Sequence, residues 1–138
     1  MASPLLLDTC ATLWQMNGEK MTSASRSAIR ATCAARLGIH VSPFTAWEIG
    51  TLVAKDRLFL TVAPETWFEN LLALPGVRLA ALTPAILLTS TRLPGLPPSD
   101  PADRILAATA RAEGFRLVTR DHKLLAYARQ GHLQVIPC

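Results

Sequence analysis

Short apolar runs alternate along this chain with longer segments in which apolar residues recur at helical spacing. The first run is Leu5–Leu7, in which three leucines stand without interruption before the carboxylate of Asp8. An unbroken run of this length is typical of a strand that is buried on both faces of a parallel sheet. The same pattern predicts strands over Leu5–Leu7, Ile39–Val41, Val77–Leu82, Phe115–Thr119 and Leu133–Ile136.

Segments of helical pattern separate these strands. Ser42 and Pro43 form an N-cap and first-turn pair, and Gly38 and Gly114 stand where helix ends favour glycine. The predicted helices span Thr9–Met16, Ser23–Leu37, Pro43–Lys55, Pro64–Leu74, Pro84–Thr91, Pro101–Ala112 and Asp121–Arg129. Strands that alternate with helices pair in parallel through right-handed crossovers. The predicted fold is therefore a three-layer α/β/α sandwich around a parallel sheet in the order 3-2-1-4-5.

Composition and charge restrict the size and the partners of this fold. Half of the 138 residues are apolar and 17% are charged, which predicts one compact domain over residues 1–138 with a sizeable core and no long disorder. Fourteen Lys and Arg residues against ten Asp and Glu residues give a net charge of +4. This modest excess is weak support for a polyanionic partner such as nucleic acid.

The cysteines and the start of the chain bear on where in the cell the protein is expected. Cys10, Cys33 and Cys138 are odd in number and form no C-x-x-C pair, so the sequence predicts neither a disulfide framework nor a zinc knuckle. The chain starts without a positive n-region, and its first apolar run ends at Asp8, too early for a signal peptide or a membrane span. We therefore expect a cytoplasmic protein that does not insert in a membrane.

Four carboxylates are predicted to meet at one edge of the sheet. Asp8 and Asp121 lie just past the ends of the first and fourth strands, which are neighbours in the predicted order. Open parallel sheets bind ligands in the crevice beyond the carboxyl ends of such strands. Glu48 lies on the inward stripe of its helix, and Asp103 lies in the first turn of another helix. Burying Glu48 unpaired would be costly, so it requires a cation, a hydrogen-bonding partner or a raised pKa.

A divalent metal ion is the partner that this group of acids favours. Crowded carboxylates repel one another, and Mg²⁺ or Mn²⁺ with oxygen ligands relieves the repulsion. Such an ion lowers the pKa of a bound water and promotes phosphodiester hydrolysis. Zinc is not predicted, because the three histidines show no ligand spacing: His40, His122 and His132.

Each acid also has a simpler explanation. Asp8, Asp100 and Asp121 each stand at the start of a predicted helix, where an aspartate caps the backbone. Glu48 would then be an outward-facing surface charge. These alternatives stay open for single residues, although their coincidence at one rim favours a shared site.

Hydroxyl and basic residues stand near the acids in the sequence. The hydroxyl residues are Thr9, Thr45 and Thr119. They are predicted to orient carboxylates or metal-bound water, with ordinary cap or strand positions as the alternative. The flanking basic residues are Arg104, Arg120 and Lys123. They are predicted to bind RNA phosphate, with solvent-exposed positions or pairing with carboxylates as the alternative.

Four ordered segments resemble PIN-domain proteins of the VapC toxin family: Leu5–Thr9, Ser42–Ile49, Asp100–Leu106 and Leu117–Asp121. The resemblance covers nearly the whole chain. It implies a parallel sheet in a helical sandwich, Mg²⁺- or Mn²⁺-dependent cleavage of tRNA or ribosomal RNA, a homodimer and inhibition by a small antitoxin. It also implies that the metal site is lined by Asp8, Glu48, Asp103 and Asp121, with support from Thr9 and Thr119.

Two departures from the family pattern affect the loop before the third motif. Pro97–Ser99 replaces a polar run that often bears histidine, and Ala102 replaces a common aromatic residue. Both leave open whether Asp100 takes part in the site.

The resulting hypothesis is a metal-dependent endoribonuclease that acts as the toxin of a toxin–antitoxin pair. The alternative is a PIN-fold module that binds RNA or protein without catalysis. A phosphoacceptor receiver domain is disfavoured because no lysine follows a later strand end, and an Asp-x-Asp phosphatase is disfavoured because Cys10 replaces the second aspartate.

Aromatic residues on the predicted helices exceed what one small core needs. They are Trp14, Phe44, Trp47, Trp67 and Phe68. Some of them are predicted to form a groove for an antitoxin helix or a dimer contact, with packing in the core as the alternative for each.

Overall fold

The structure is a computed structural model that describes residues 3–138. Its strands are β1 (Leu5–Leu7), β2 (Ile39–Val41), β3 (Val77–Leu79), β4 (Arg116–Thr119) and β5 (Val135–Pro137). Its helices are α1 (Thr9–Asn17), α2 (Ser23–Ala34), α3 (Pro43–Ala54), α4 (Pro64–Ala73), α5 (Pro84–Ser90), α6 (Pro101–Glu113) and α7 (His122–Arg129). Within these residues, no helix combines the length and the apolar character that crossing a membrane requires.

The strands form an all-parallel sheet in the order β3-β2-β1-β4-β5, which confirms the predicted order. The central strand β1 pairs with β2 on one side and with β4 on the other, so that Leu6 lies opposite both His40 and Leu117. The connection that leaves β1 runs to β2 and the connection that leaves β4 runs to β5, so these two crossovers depart from the middle of the sheet in opposite directions. This arrangement leaves a crevice at the carboxyl ends of β1 and β4.

Apolar side chains of β1 alternate between two cores. Leu5 and Leu7 point into a cluster that α1 to α4 cover, whereas Leu6 points into a cluster that α5 to α7 cover. All three leucines are at most 1% exposed. The sheet is thus buried on both faces, and the three-layer α/β/α sandwich is confirmed.

Some element ends differ from the sequence prediction. β3 ends at Leu79 rather than Leu82, because the chain leaves the sheet to reach Thr83, which caps α5 by accepting a hydrogen bond from the amide of Ile86. α2 ends at Ala34 rather than Leu37, because Arg36 adopts a left-handed backbone with φ 57° that turns the chain toward β2.

α2 buries two hydroxyl side chains beside Ala28 and Ile29, which pack against the core. Cys33 is exposed. Ser25 and Thr32 are buried instead, and their hydroxyls donate to the main-chain oxygens of Thr22 and Ser3. These hydrogen bonds offset the cost of burying the hydroxyls.

Candidate functional site

A cleft of about 410 Å³ opens at the carboxyl ends of β1 and β4. Its lining consists of Asp8, Thr9, Cys10, Trp14, Glu48, Asp100, Asp103, Leu106, Arg120, Asp121 and Lys123. All four acids that the sequence predicted to meet are among these residues. Four separate elements deliver them, because every strand-to-helix connection of a parallel sheet ends at the same edge.

Asp8 is both a helix cap and a cleft residue. It is 7% exposed, and its Oδ1 accepts a hydrogen bond from the amide of Ala11 at 2.7 Å, which caps α1. Its Oδ2 accepts a hydrogen bond from the hydroxyl of Thr119. Burial raises the pKa of Asp8, and these two hydrogen bonds oppose the rise. The capping explanation is therefore correct, and it does not remove Asp8 from the cleft.

Thr119 connects Asp8 to Asp121. Its Oγ1 donates to the carboxylate of Asp8 and accepts the amide of Asp121 at 3.1 Å, while the residue itself is 0% exposed. Asp121 in turn caps α7, since its Oδ1 accepts the amides of Lys123 and Leu124 at 2.9 and 3.2 Å. One buried hydroxyl therefore sets the relative placement of two acids that follow different strands.

Glu48 reaches the cleft from α3. It accepts a hydrogen bond of 2.6 Å from the hydroxyl of Thr9, whose oxygen lies 3.3 Å from that of Thr45. Burial raises the pKa of Glu48, and the charges of Asp100 and Asp8 add to the rise. The alternative that Glu48 is an outward-facing charge is wrong, because this side chain is half-buried and lines the cleft.

Asp103 has the most strongly raised pKa among the acids of the cleft. Burial raises its pKa to about 7, with further upward contributions from the charges of Asp121 and Asp100, while Lys123 lowers it. Asp103 lies in the first turn of α6, at the edge of the sheet where the other acids stand. The repulsion among these carboxylates marks a position at which a cation would be bound favourably.

Asp100, which the sequence left undecided, lies in the cleft lining. Its Oδ1 accepts the amide of Ala102 at 2.7 Å and thereby caps α6. Its charge also raises the pKa of Glu48 and of Asp103. Asp100 is therefore a cap whose charge acts on the site.

The three predicted basic residues do not all reach the cleft. Arg120 and Lys123 line it, but Arg104 does not. The Nη1 of Arg104 donates to the main-chain oxygen of Ser90 at 3.3 Å, on the α5 side of α6. Consecutive residues of a helix point about 100° apart, so Arg104 cannot share the direction of Asp103. The structure thus places Arg104 outside the site.

Cys10 and Trp14 line the cleft although the sequence analysis did not assign them to the site. The two residues are four positions apart on α1, and this spacing, next to Asp8, is the signal that points to them. Burial raises the pKa of Cys10, and the charges of Asp8 and Glu48 add to the rise. The thiol is therefore kept protonated and poorly reactive at neutral pH.

The donor atoms of the cleft fit a hard divalent cation. Within residues 3–138, no group of three or more Asp, Glu, His or Cys side chains lies close enough together to cage a metal ion. Mg²⁺ does not require such a cage, because it retains several waters and binds proteins through one or two carboxylates. The oxygen-rich lining and the mutual repulsion of its acids suit an ion of this kind.

Comparisons with known proteins agree on one family. The model of the PIN domain family matches residues 5–130. Ribonuclease VapC22 of Mycobacterium tuberculosis is 30% identical over 127 residues, which span 92% of this chain and 93% of that protein.

Solved structures show the same fold at lower sequence identity. VapBC2 from Rickettsia felis, bound to a DNA fragment from its promoter, matches with a TM-score of 0.69 and 16% identity over 97% of this chain and 98% of that one. FitAcB from Neisseria gonorrhoeae matches with a TM-score of 0.57 and 18% identity over 96% of each chain.

Proposed function

Since this chain belongs to the PIN-domain family, and within it to the VapC group, we propose that it is a divalent-metal-dependent endoribonuclease and the toxin of a toxin–antitoxin pair. The observation that carries the proposal is the convergence of Asp8, Glu48, Asp103 and Asp121 on one cleft. We further propose that residues 1–138 act as one domain and that the substrate is tRNA or ribosomal RNA. We also propose a cytoplasmic location, because tRNA and ribosomal RNA are found there.

Carboxylates from among the four converging acids would hold Mg²⁺ or Mn²⁺, one or two of them in direct contact with the ion. When bound, such an ion supplies a polarised water and neutralises charge on the leaving oxygen. The hydroxyl of Thr119 and the amide of Ala11 orient the carboxylate of Asp8, and the hydroxyl of Thr9 orients that of Glu48. These hydrogen bonds hold the acids in place before the substrate arrives, so that little reorganisation is needed.

Basic side chains adapt this negative cleft to a polyanionic substrate. Arg120 and Lys123 stand in the lining and reduce the repulsion that five carboxylates exert on an incoming phosphate. We expect RNA affinity to fall with rising salt concentration for this reason.

Exposed apolar side chains supply surfaces for protein partners. The rings of Phe44 and Trp47 stack with centroids 5.3 Å apart, and Trp47 is 63% exposed. Phe59 is 97% exposed, whereas Trp67 is 6% exposed and belongs to the core. We propose that surfaces of this kind bind a cognate antitoxin and a second copy of the chain.

The first test is an RNA cleavage assay with Mg²⁺ or Mn²⁺, with EDTA, and with the variants Asp8→Ala and Asp121→Ala. We expect cleavage that EDTA and either substitution abolishes. Glu113→Ala is the matched control, because it removes an exposed carboxylate from the opposite end of α6. Full activity in EDTA or in both Asp variants would rule out the mechanism. RNA binding without turnover under any metal would favour the alternative of a catalytically silent module.

Identifying the RNA target requires an experiment in cells. Sequencing of RNA ends after brief expression would reveal the cleaved sites, with the Asp8→Ala protein as control. We expect new ends in tRNA or ribosomal RNA that the variant does not produce.

A further inference from the structure

Arg120 forms one wall of the cleft and is held there from two directions. Its guanidinium carbon lies 3.5 Å from the centre of the Trp14 ring, in a cation–π contact. Its Nε donates to the main-chain oxygen of Cys138 at 3.0 Å. The side chain is therefore attached both to α1 and to the segment that follows β5.

The Trp14 ring that contacts Arg120 is itself held in place. Trp14 is partly buried and packs against the core cluster that contains Leu5, Leu7 and Val118. A guanidinium is planar and carries five N–H donors in a fork that matches the oxygens of a phosphate. With Nε engaged and one face on the indole, the plane of this fork is set before any ligand arrives.

Arg120 and Lys123 occupy different places relative to the acids. The positive charge of Lys123 acts on Asp103, whereas that of Arg120 acts on Asp8, the acid next to α1. A single-stranded RNA that presents one phosphate to the acids would thus meet a second, preorganised cation on the α1 side. Trp14, being stacked against that cation, controls its orientation without needing to touch the RNA.

We propose that Arg120 forms a subsite for the phosphate next to the scissile one, and that Trp14 is the positioning residue that sets the plane of its guanidinium. This inference rests on the proposed function, because it requires an RNA substrate in the same cleft. It adds to that function a defined phosphate contact and a role for an aromatic residue of α1.

The test measures binding of a short labelled single-stranded RNA in EDTA, so that no turnover occurs. We expect Arg120→Met to weaken binding by about tenfold, the size typical of a hydrogen bond to a charged group. We also expect it to lower the slope of log affinity against log salt concentration by about 0.7, as one released counterion requires for a single strand. Arg129→Met is the matched control, because Arg129 is an exposed arginine at the far end of α7.

The substitutions at Trp14 separate positioning from charge. Trp14→Phe keeps an aromatic face and is expected to bind within about twofold of wild type, since phenylalanine also supports cation–π contact. Trp14→Leu is expected to weaken binding about threefold while the salt slope stays unchanged, because the charge remains but its orientation is lost. Circular dichroism checks that each variant is folded. Arg120→Lys keeps the charge without the planar fork, so it separates orientation from charge in a second way.

The outcomes distinguish the two levels of the proposal. If the wild-type protein neither binds RNA in EDTA nor cleaves it with Mg²⁺ or Mn²⁺, the proposed function fails. If it cleaves RNA with metal but does not bind RNA in EDTA, a phosphate subsite that acts without metal is overturned. If the wild-type protein binds but Arg120→Met equals Arg129→Met in affinity and salt slope, only the phosphate subsite is overturned. If folded Trp14→Leu and Arg120→Lys both bind like wild type, the positioning role of Trp14 is overturned.

Discussion

The two ends of the sheet carry cavities of almost equal volume, about 410 Å³ at the carboxyl end and about 400 Å³ at the amino end. The carboxyl-end cavity is lined by five carboxylates and two basic side chains. The amino-end cavity lies at the loops before β4 and β5, and its ionisable side chains are Arg111 and His132. Volume therefore does not distinguish the two cavities, whereas the sign of their charge does.

Helix direction explains why the charges differ. In a parallel sandwich, helices begin at the carboxyl edge of the sheet and end at the amino edge, so their partial charges have opposite signs at the two edges. Asp8, Asp100 and Asp121 cap helix N-termini at the carboxyl edge, and Arg111 and Arg129 lie in the last turns of α6 and α7. The fold itself thus favours acids at one edge and bases at the other.

The largest difference between the two ends is expected when one cleft charge is removed and its helix cap is kept. Asparagine caps helices as well as aspartate does, so Asp8→Asn is expected to leave the thermal midpoint unchanged or slightly higher. RNA cleavage is expected to fall about 10³-fold or more, roughly 4 kcal/mol of transition-state stabilisation. Steady-state cleavage kinetics and thermal melting check both parts. Retention of more than about a tenth of the activity would show that Asp8 acts as a cap alone.

A smaller loss of RNA cleavage is expected when the charge of Asp8 is kept and the hydroxyl that orients it is removed. Thr119→Val deletes the hydroxyl that donates to Asp8 and accepts the amide of Asp121. We expect cleavage to fall by about 10- to 100-fold, as for groups that orient metal ligands. The pKa of Asp8 should rise further, because this hydrogen bond lowers it, so the acidic limb of the pH–rate profile should move to higher pH. An unshifted profile with full activity would contradict the bridging role.

Protonation of Asp103 gives a still smaller effect, on stability. Its pKa of about 7 in the folded protein exceeds the ordinary value of 3.8, so between these two values the folded state binds a proton that the unfolded state does not. The free energy of unfolding should therefore fall as pH rises across this window. Because Asp103 is partly exposed, we expect a drop in thermal midpoint on the order of 3 °C between the two ends of the window.

Asp103→Asn is the variant that isolates this contribution. In EDTA, it should melt higher than wild type near pH 8 and show a flatter dependence on pH. Glu113→Gln at the other end of α6 is the control, and it should keep the wild-type dependence. Equal pH dependence in Asp103→Asn and wild type would contradict the raised pKa of this carboxyl group.

The smallest effect is expected at the amino end. The Nη1 of Arg111 donates to the main-chain oxygen of His132 at 2.6 Å in an exposed position, so Arg111→Met should cost about 1 kcal/mol of stability or less. RNA cleavage should stay within about twofold of wild type, because no cleft residue depends on this contact. A large loss of cleavage in a folded variant would mean that the two ends of the sheet are functionally coupled.

Much of the site could be predicted because strand ends are visible in the sequence. Asp8 and Asp121 stand just past apolar runs, and the alternation of strands and helices brings such positions to one edge. Arg104 was misplaced because proximity to Asp103 in sequence does not give the direction of a side chain on a helix. Trp14 was not assigned to the site because its contact with Arg120 joins residues that are distant in sequence.

Periodicity and local capping chemistry were enough to predict the order of helices and strands, the parallel sheet and the acids of the cleft. Three features became visible only in the folded chain: which neighbours face the cleft, which hydroxyl bridges Asp8 and Asp121, and how far the pKa of Asp103 rises. Desolvation and Coulomb repulsion depend on burial and on distances between residues far apart in the chain, and these exist only after folding.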